Sequence, residues 1–341
     1  MSLKRAALDA GVRTEVAPLA RVEGGRAYRA DVDSRATVII LDTDSGLRMA
    51  CEPEIVGTRL EREALQAARA AAAIIAKTAG SREVAFLHVL RASMGYRLHE
   101  ALKEGGFRLA EAYVRVRYPG YSTGCHEGRR AEVVYADLGG VSRERVLVVA
   151  DTVATGESLA RALAYFLPAV EAKGARVREV HVYGFLAEEG VRRVSAELEE
   201  LGVERIFFYA LQDLAALASN KYDMLLYGPD IPAYKSGKLV SLGGIVAEET
   251  LERMLPHYFP GMDQPGDWSE RQCLLFNGGG FEEGRIGEHL ERSLRALDEL
   301  HEAVRAFPWY REELEGVYEK RRKGLLAAIL SGEYCSQGRR L

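Results

Sequence analysis

The stretch "RVLVVADTVATGESLARAL", Arg145 to Leu163, decides how this chain is read. An unbroken apolar run, Val146 to Val149, suits a strand buried on both faces of a sheet. Asp151 ends that run, "TVATG" makes a turn, and the pattern from Glu157 onward is helical. In an open α/β sheet, ligands sit beyond the carboxyl ends of the strands, and Asp151 is at that edge. Gly156 lets a ligand approach the backbone closely. Unpaired N–H groups at the helix start suit an anion, and the hydroxyls of Thr155 and Ser158 add donors. The acid four residues before Thr155 is set to face a sugar rather than its phosphate. The stretch lacks the lysine of a P-loop and the three-glycine spacing of a dinucleotide loop. It suits a phosphorylated sugar.

The flanking sequence repeats this unit. "ATVIILDTDSG" (36–46) reads as a strand ending in a turn, and "TRLEREALQAARAAAAIIAKT" (58–78) as a helix. "EVAFLHVLRASMGYRLHEALKEGG" is strand, short loop and helix, and "VREVHVYGFLAEEGVRRVSAELEELG" is strand and helix again. Two strands flank a polar loop between Tyr118 and Arg130, and "VERIFFYALQD" opens another strand. The predicted fold is α/β, a mostly parallel sheet with helices on both faces. Residues 1–235 are expected to form this domain, with a weakly patterned segment, 1–45, at its periphery. Residues 236–341 read as a largely helical extension, interrupted near Pro308, that covers the site or mediates assembly. The tail after Ser331 is expected to fray.

Bulk composition narrows the class. With 46 Lys and Arg against 50 Asp and Glu, no global basic field points to nucleic acid. No run is long and apolar enough for a bilayer, and the first residues read as neither signal peptide nor anchor, so the cytoplasm is the expected compartment. The four cysteines, at 51, 125, 273 and 335, show no close pairing, so neither a disulfide framework nor a thiolate metal site is expected.

"VLVVADTVATGESL" resembles the signature of the type I phosphoribosyltransferases, in which a strand ends in two acids before a Thr-Gly phosphate loop. Asp151 matches the second acid; Ala150 stands where the first belongs. The loop Thr152, Val153, Ala154, Thr155, Gly156, Glu157 and Ser158 matches the one that holds the phosphate of phosphoribosyl pyrophosphate (PRPP) or a nucleotide. The charge of Glu157 must point away from that phosphate. Other segments are similar to the uracil branch of the family. "VAFLHVLRASMGYRLHEAL" resembles its strand and pyrophosphate loop, with Arg91 kept and Ser93 replacing a glycine. "RYPGYSTGCHEGRRAEVVY" takes the place of its mobile loop. "VYGFLAEEGVRRV" resembles another of its segments, with Glu188 replacing proline. "YDMLLYGPDIP" falls where that branch has its base-recognition loop, pointing to Tyr227, Gly228 and Asp230. "FPGMDQPGDW" (259–268) echoes the same segment but comes late in the chain, and is set aside for that reason.

The resemblance implies transfer of a 5-phosphoribosyl group from PRPP to a nucleobase-like nitrogen acceptor, uracil being the nearest candidate, with release of pyrophosphate. Asp151 would position the ribose; Arg91 and a lid arginine, Arg129 or Arg117, would hold pyrophosphate. Mg2+ would bind mainly through PRPP, with Asp151 as its protein contact. A homo-oligomer, a dimer, is expected, with PRPP and a nucleobase or nucleotide as partners. Blander readings stand beside these: Arg91 as a surface cation, the loop 118–130 as a solvated connection, and Asp213, Asp223 and Asp230 as turn caps. Ala150 and Ser93 also leave open a non-catalytic PRPP- or nucleotide-binding regulator, and the C-terminal region a subunit of purely structural role.

Overall fold

The structure, a computed structural model, describes residues 2–118 and 131–335. The main sheet contains β1 (Val16–Val22), β2 (Gly25–Ala30), β3 (Thr37–Thr43), β4 (Glu83–Leu90), β5 (Arg108–Arg117), β6 (Glu132–Asp137), β7 (Val146–Ala150), β8 (Glu179–Ala187), β9 (Arg205–Leu217) and β10 (Met224–Leu225). Their order is β1-β2-β3-β9-β8-β7-β4-β5-β6, with β10 attached antiparallel to β9. The six strands from β3 to β5 in this order are parallel to one another, and antiparallel pairs finish the edges. Small ladders join β11 (Tyr227–Pro229) to β12 (Ser241–Gly243) and β13 (Leu274–Phe276) to β14 (Phe281–Glu283). The fold is α/β with a mostly parallel sheet.

The alternation of side chains along each strand divides the core into two layers. Ile39, Leu41, Phe86, Val148 and Tyr209 belong to one apolar cluster; Val38, Ile40, Leu87, Val149 and Phe208 belong to the other. Both faces of these strands are therefore buried, which is why they read as continuous apolar runs rather than alternating ones. Helices α1 (Leu3–Ala10), α2 (Asp44–Cys51), α3 (Gly57–Thr78) and α4 (Leu98–Glu104) cover the first face. The second is covered by α5 (Glu157–Glu171) and α6 (Glu188–Glu200). The later helices are α7 (Ile231–Lys235), α8 (Glu248–Met254), α9 (Ile286–Val304) and α10 (Glu313–Ser331). Leu251 of α8, Leu297 and Leu300 of α9 and Leu325 of α10 join the cluster that holds Phe86 and Tyr209.

Several details differ from the sequence reading. The first 35 residues hold α1, β1 and β2, and the two strands extend the sheet through β3. The turn expected after β3 is instead helix α2, because the Thr43 side chain accepts a hydrogen bond from Gly46 N at 2.9 Å and caps it. Cys273 and Cys335 form a disulfide across a separation of 62 residues. That distance in sequence hid a pairing made by tertiary packing. The chain just past α10 is tied down rather than frayed: Tyr334 O also accepts from Thr58 N at 2.9 Å.

Candidate active site

The parallel order has a switch point between β4 and β7. The chain leaves β4 for β5 on one side, and then builds β7, β8 and β9 on the other. Crevices for ligands open at such points, beyond the carboxyl ends of the two strands. A cleft of about 360 Å³ lies there, lined by Leu90 to Ala92 after β4 and by Asp151 to Leu159 after β7. Its remaining wall includes Tyr118, Lys221, Tyr222, Asp263, the segment Pro265 to Glu270, Arg285 and Arg292.

The turn after β7 is shaped by the backbone of β8. Asp151 N donates to Tyr183 O at 2.9 Å and Val153 N to Phe185 O at 2.8 Å. Gly156 sits at φ +79°, and a Cβ there would lie 2.9 Å from Gly190 O. Only glycine fits that close, left-handed position at the start of α5. The N–H groups of Gly156, Ser158 and Leu159 have no hydrogen-bond partner among the described residues. Together with the helix end they form a place for an anion. Ser158 Oγ lies 3.0 Å from the Tyr118 hydroxyl, and Glu157 is turned toward an ion pair with Arg193 of α6.

Asp151 is 7% exposed, and Oδ1 accepts from Thr152 N at 2.9 Å. Burial pushes its pKa up to about 7, against the lowering effect of that hydrogen bond. It has no ion-pair partner among the described residues. Ala150, where the resemblance expects an acid, is fully buried in the apolar cluster with Phe86 and Tyr183. A carboxylate there would be stranded in hydrocarbon.

Arg91 lines the cleft and lies 3.1 Å from Glu282 and 3.4 Å from Glu270. Ser93 is buried beneath it, and Gly95 presses on the Gln272 side chain, which leaves no room for a Cβ. Arg117 is exposed at the end of β5 and is not among the lining residues. Arg129, with Cys125, His126 and most of the loop expected to form a lid, lies outside the described residues.

The segment from Tyr227 to Asp230, expected to recognise the base, is not among the residues lining this cleft. Tyr227 is buried and packs its ring near Tyr258 and Trp309. Gly228 lies against Gly261. Asp230 caps α7 and accepts from Ser219 N at 3.1 Å and Ser219 Oγ at 2.9 Å. Capping, the blander reading, describes it. Asp213 accepts from Gln264, and burial raises its pKa to about 7. Asp223 accepts from Asn220 at 2.8 Å.

The late segment 263–270 stands in the cleft instead. Asp263 Oδ1 accepts from Met224 N at 2.8 Å, and Gln264 N donates to Met224 O at 2.9 Å. Trp268 stacks on Tyr96 with centroids 4.5 Å apart, and the Tyr96 hydroxyl meets Thr152 Oγ1, so this wall abuts the start of the loop 152–158. Asp267 takes the Tyr222 hydroxyl at 3.0 Å and pairs with Arg292. Arg271, fully buried, donates to the carbonyls of Met49, Glu52, Ile55, Gln264 and Pro265. Burial lowers its pKa to about 10, and the five carbonyls explain how a cation is kept there. The sequence signal for this wall was the "DQPGDW" echo itself; its late position made it look misplaced.

No family model matches the sequence, and no curated protein is similar to it. Among solved structures the chain is similar to a hypoxanthine phosphoribosyltransferase from Staphylococcus aureus, at 16% identity and a TM-score of 0.27, over 37% of this chain and 64% of that one. It is similar to the hypoxanthine phosphoribosyltransferase of Trypanosoma cruzi in complex with the product IMP, at 18% identity and 0.26, over 38% and 68%. It is also similar to the adenine phosphoribosyltransferase of Thermoanaerobacter pseudethanolicus, at 16% and 0.28, over 45% and 85%. These structures are named for hypoxanthine and adenine, whereas the sequence motifs resemble the uracil branch. No helix among the described residues is long and apolar enough to cross a membrane.

Proposed function

We propose that this protein transfers a 5-phosphoribosyl group from PRPP to a ring nitrogen of a nucleobase-like acceptor and releases pyrophosphate. One observation carries the reading: a buried Asp151, without an ion-pair partner among the described residues, precedes a turn whose Gly156 and Ser158 N–H groups have no partner among those residues either, at the switch point of a parallel sheet. The 5-phosphate binds at the start of α5, where N–H groups and the Ser158 hydroxyl receive it. Asp151 accepts from the ribose hydroxyls and, as the carboxylate, favours positive charge developing at the anomeric carbon. Arg91 holds pyrophosphate as it leaves, and Glu282 gives up that cation to the more highly charged ligand. The work is placement and preorganised charge, so no strong base is required.

No cluster of three or more His, Cys, Asp or Glu suited to a metal ion occurs among the described residues. Asp151 would hold a hydrated Mg2+ brought in on the polyphosphate, and that ion would offset the leaving group's charge. Uracil is the acceptor the sequence motifs name, and the wall 263–270 is the surface against which the acceptor lies.

The test is pyrophosphate release from PRPP and Mg2+ across uracil, cytosine, adenine, hypoxanthine, orotate and nicotinate. Acceptor-dependent release, lost in Asp151→Asn, supports transfer. Saturable PRPP binding with no release from any acceptor would instead assign the regulator reading.

A further inference from the structure

Arg91, the cation just past the carboxyl end of β4, is held by two acids of unequal freedom. Glu270 is buried and already carries Arg285, through N at 2.8 Å and through Nε and Nη2 at 3.1 Å each. Its contact with Arg91 Nη2 is a long 3.4 Å. Glu282 has the closer hold, 3.1 Å from Arg91 Nη1, and its side chain is 36% exposed. Its Oε1 is shut off from solvent yet makes no hydrogen bond among the described residues. The pair therefore rests on charge without a well-aligned hydrogen bond, a contact that a better-fitting anion replaces. Glu282 is not among the residues lining the cleft; it reaches Arg91 from the hairpin β13–β14 beside it.

That hairpin is lightly packed. Of Leu274–Phe276 and Phe281–Glu283, only Leu275 is buried. Its base is closed where Gly284 N donates to Cys273 O at 3.3 Å, and its tip rests on β5 and β6. Phe276 meets Tyr113 edge-on with centroids 5.6 Å apart, Arg115 Nη1 donates to Asn277 O at 2.9 Å, and Gly278 presses on the Tyr135 ring. Positive charge gathers there. Leu90 and Arg115 are partners across β4 and β5, so Arg91 follows next to Arg115, and Arg117 lies further along the same strand. Burial and the charge of Arg117 lower the pKa of Arg115, Glu282 opposes them, and Arg91 adds to the lowering. Glu282 is thus an acid that the hairpin brings to a group of crowded arginines.

We infer that Glu282 is a positioning residue that competes with phosphoryl oxygens for Arg91, so that β13–β14 gives up its ion pair when an anion enters and helps to expel the anion when the pair re-forms. That the anion is pyrophosphate, free or as part of PRPP, rests on the phosphoribosyl-transfer reading. No covalent bond forms or breaks in the exchange; one acid replaces another beside the same guanidinium. Displacing Glu282 costs the same whichever anion arrives, so it weakens substrate and product alike. Product release limits many enzymes, and an acid that reclaims Arg91 shortens that step.

The experiment is calorimetric titration of inorganic pyrophosphate, with Mg2+, into the full chain and its variants. Glu282→Gln removes the competing charge, and Glu282→Asp keeps the charge but shortens its reach. Glu283→Gln removes the same charge one residue on, where strand alternation turns the side chain to the other face. The expected result is binding tighter by about 5-fold or more in Glu282→Gln, a smaller gain in Glu282→Asp, and a change below about 2-fold in Glu283→Gln. In turnover, the KM for PRPP should fall in Glu282→Gln with no gain in kcat, which loosened packing would not produce. Equal tightening in the two Gln variants reduces the effect to overall charge and overturns the inference. Unchanged affinity in a Glu282→Gln protein that melts like the wild type overturns it too, as does pyrophosphate binding to none of the proteins. If Glu282→Gln fails to fold, unchanged affinity in Glu282→Asp decides against it. Tighter pyrophosphate binding in Glu282→Gln, with no release from PRPP by any acceptor, supports the competition and removes the transfer reading.

Discussion

Two short segments of this chain look alike and do different things. "YGPDIP" (227–232) and "DQPGDW" (263–268) each bring proline, glycine and aspartate together in a turn. The first lies beside β9, three strands from β4, and its acid is spent inside the fold: Asp230 caps α7 and holds Ser219. The second reaches the switch point, and Asp263 and Asp267 line the cleft there. Turn chemistry is local, so both segments satisfy it equally. Which one meets a ligand depends on where the sheet opens, and that is a property of strand order.

Substitutions can break this comparison, beginning with the acid that both segments are measured against. Asp151→Asn should lower pyrophosphate release from PRPP by about 1000-fold, a loss of preorganised charge at the reacting centre. The same variant should be more stable than the wild type at neutral pH. Asp151 holds its proton up to about pH 7 in the folded state, against an ordinary value of 3.8. Its contribution to stability is therefore complete below 3.8 and is lost as pH rises to about 7, and the gap between variant and wild type widens over that window before levelling off. Denaturant melts at pH 4, 6 and 8 measure it; a constant gap would deny that the site is desolvated.

The disulfide gives the next largest effect. Reducing Cys273–Cys335, or making Cys335→Ser, opens a 62-residue loop and should cost about 3 kcal/mol in a denaturant melt. The loss should come with weaker acceptor binding, because Cys273 follows the cleft wall directly, whereas the 227–232 segment has no such link.

Two substitutions then set the segments against each other. Asp267→Ala removes an acceptor of the Tyr222 hydroxyl and the ion-pair partner of Arg292, and should lower kcat/KM for the acceptor about 10-fold with little change in melting temperature. Asp230→Ala should do the reverse, costing about 1 kcal/mol of stability as a lost helix cap while leaving kcat/KM unchanged. If Asp230→Ala instead raised the acceptor KM, the base would lie by β11 and the comparison would fail.

Much of the architecture could be read without coordinates because the signals are local. The apolar runs of β4, β7, β8 and β9 and the helices that follow carry their own periodicity, and the loop 152–158 carries its own turn and hydroxyls. The wall 263–270 could not be placed this way. Asp263 is held by Met224, Gln264 by Asp213, and Arg271 by carbonyls more than 200 residues earlier as well as by its near neighbours. Cys273 and Cys335 are likewise joined only through packing.

By itself, the sequence determined that strands alternate with helices and that β7 runs into Asp151 and a glycine-bearing turn, because apolar periodicity and turn residues act over a few positions. The tertiary structure alone decided that β4 and β7 lie side by side with the crevice between them, and that a segment more than 100 residues after Asp151 closes its far wall. Those outcomes depend on strand order and on buried long-range partners such as Arg271, and no window of the chain contains both halves of such a contact.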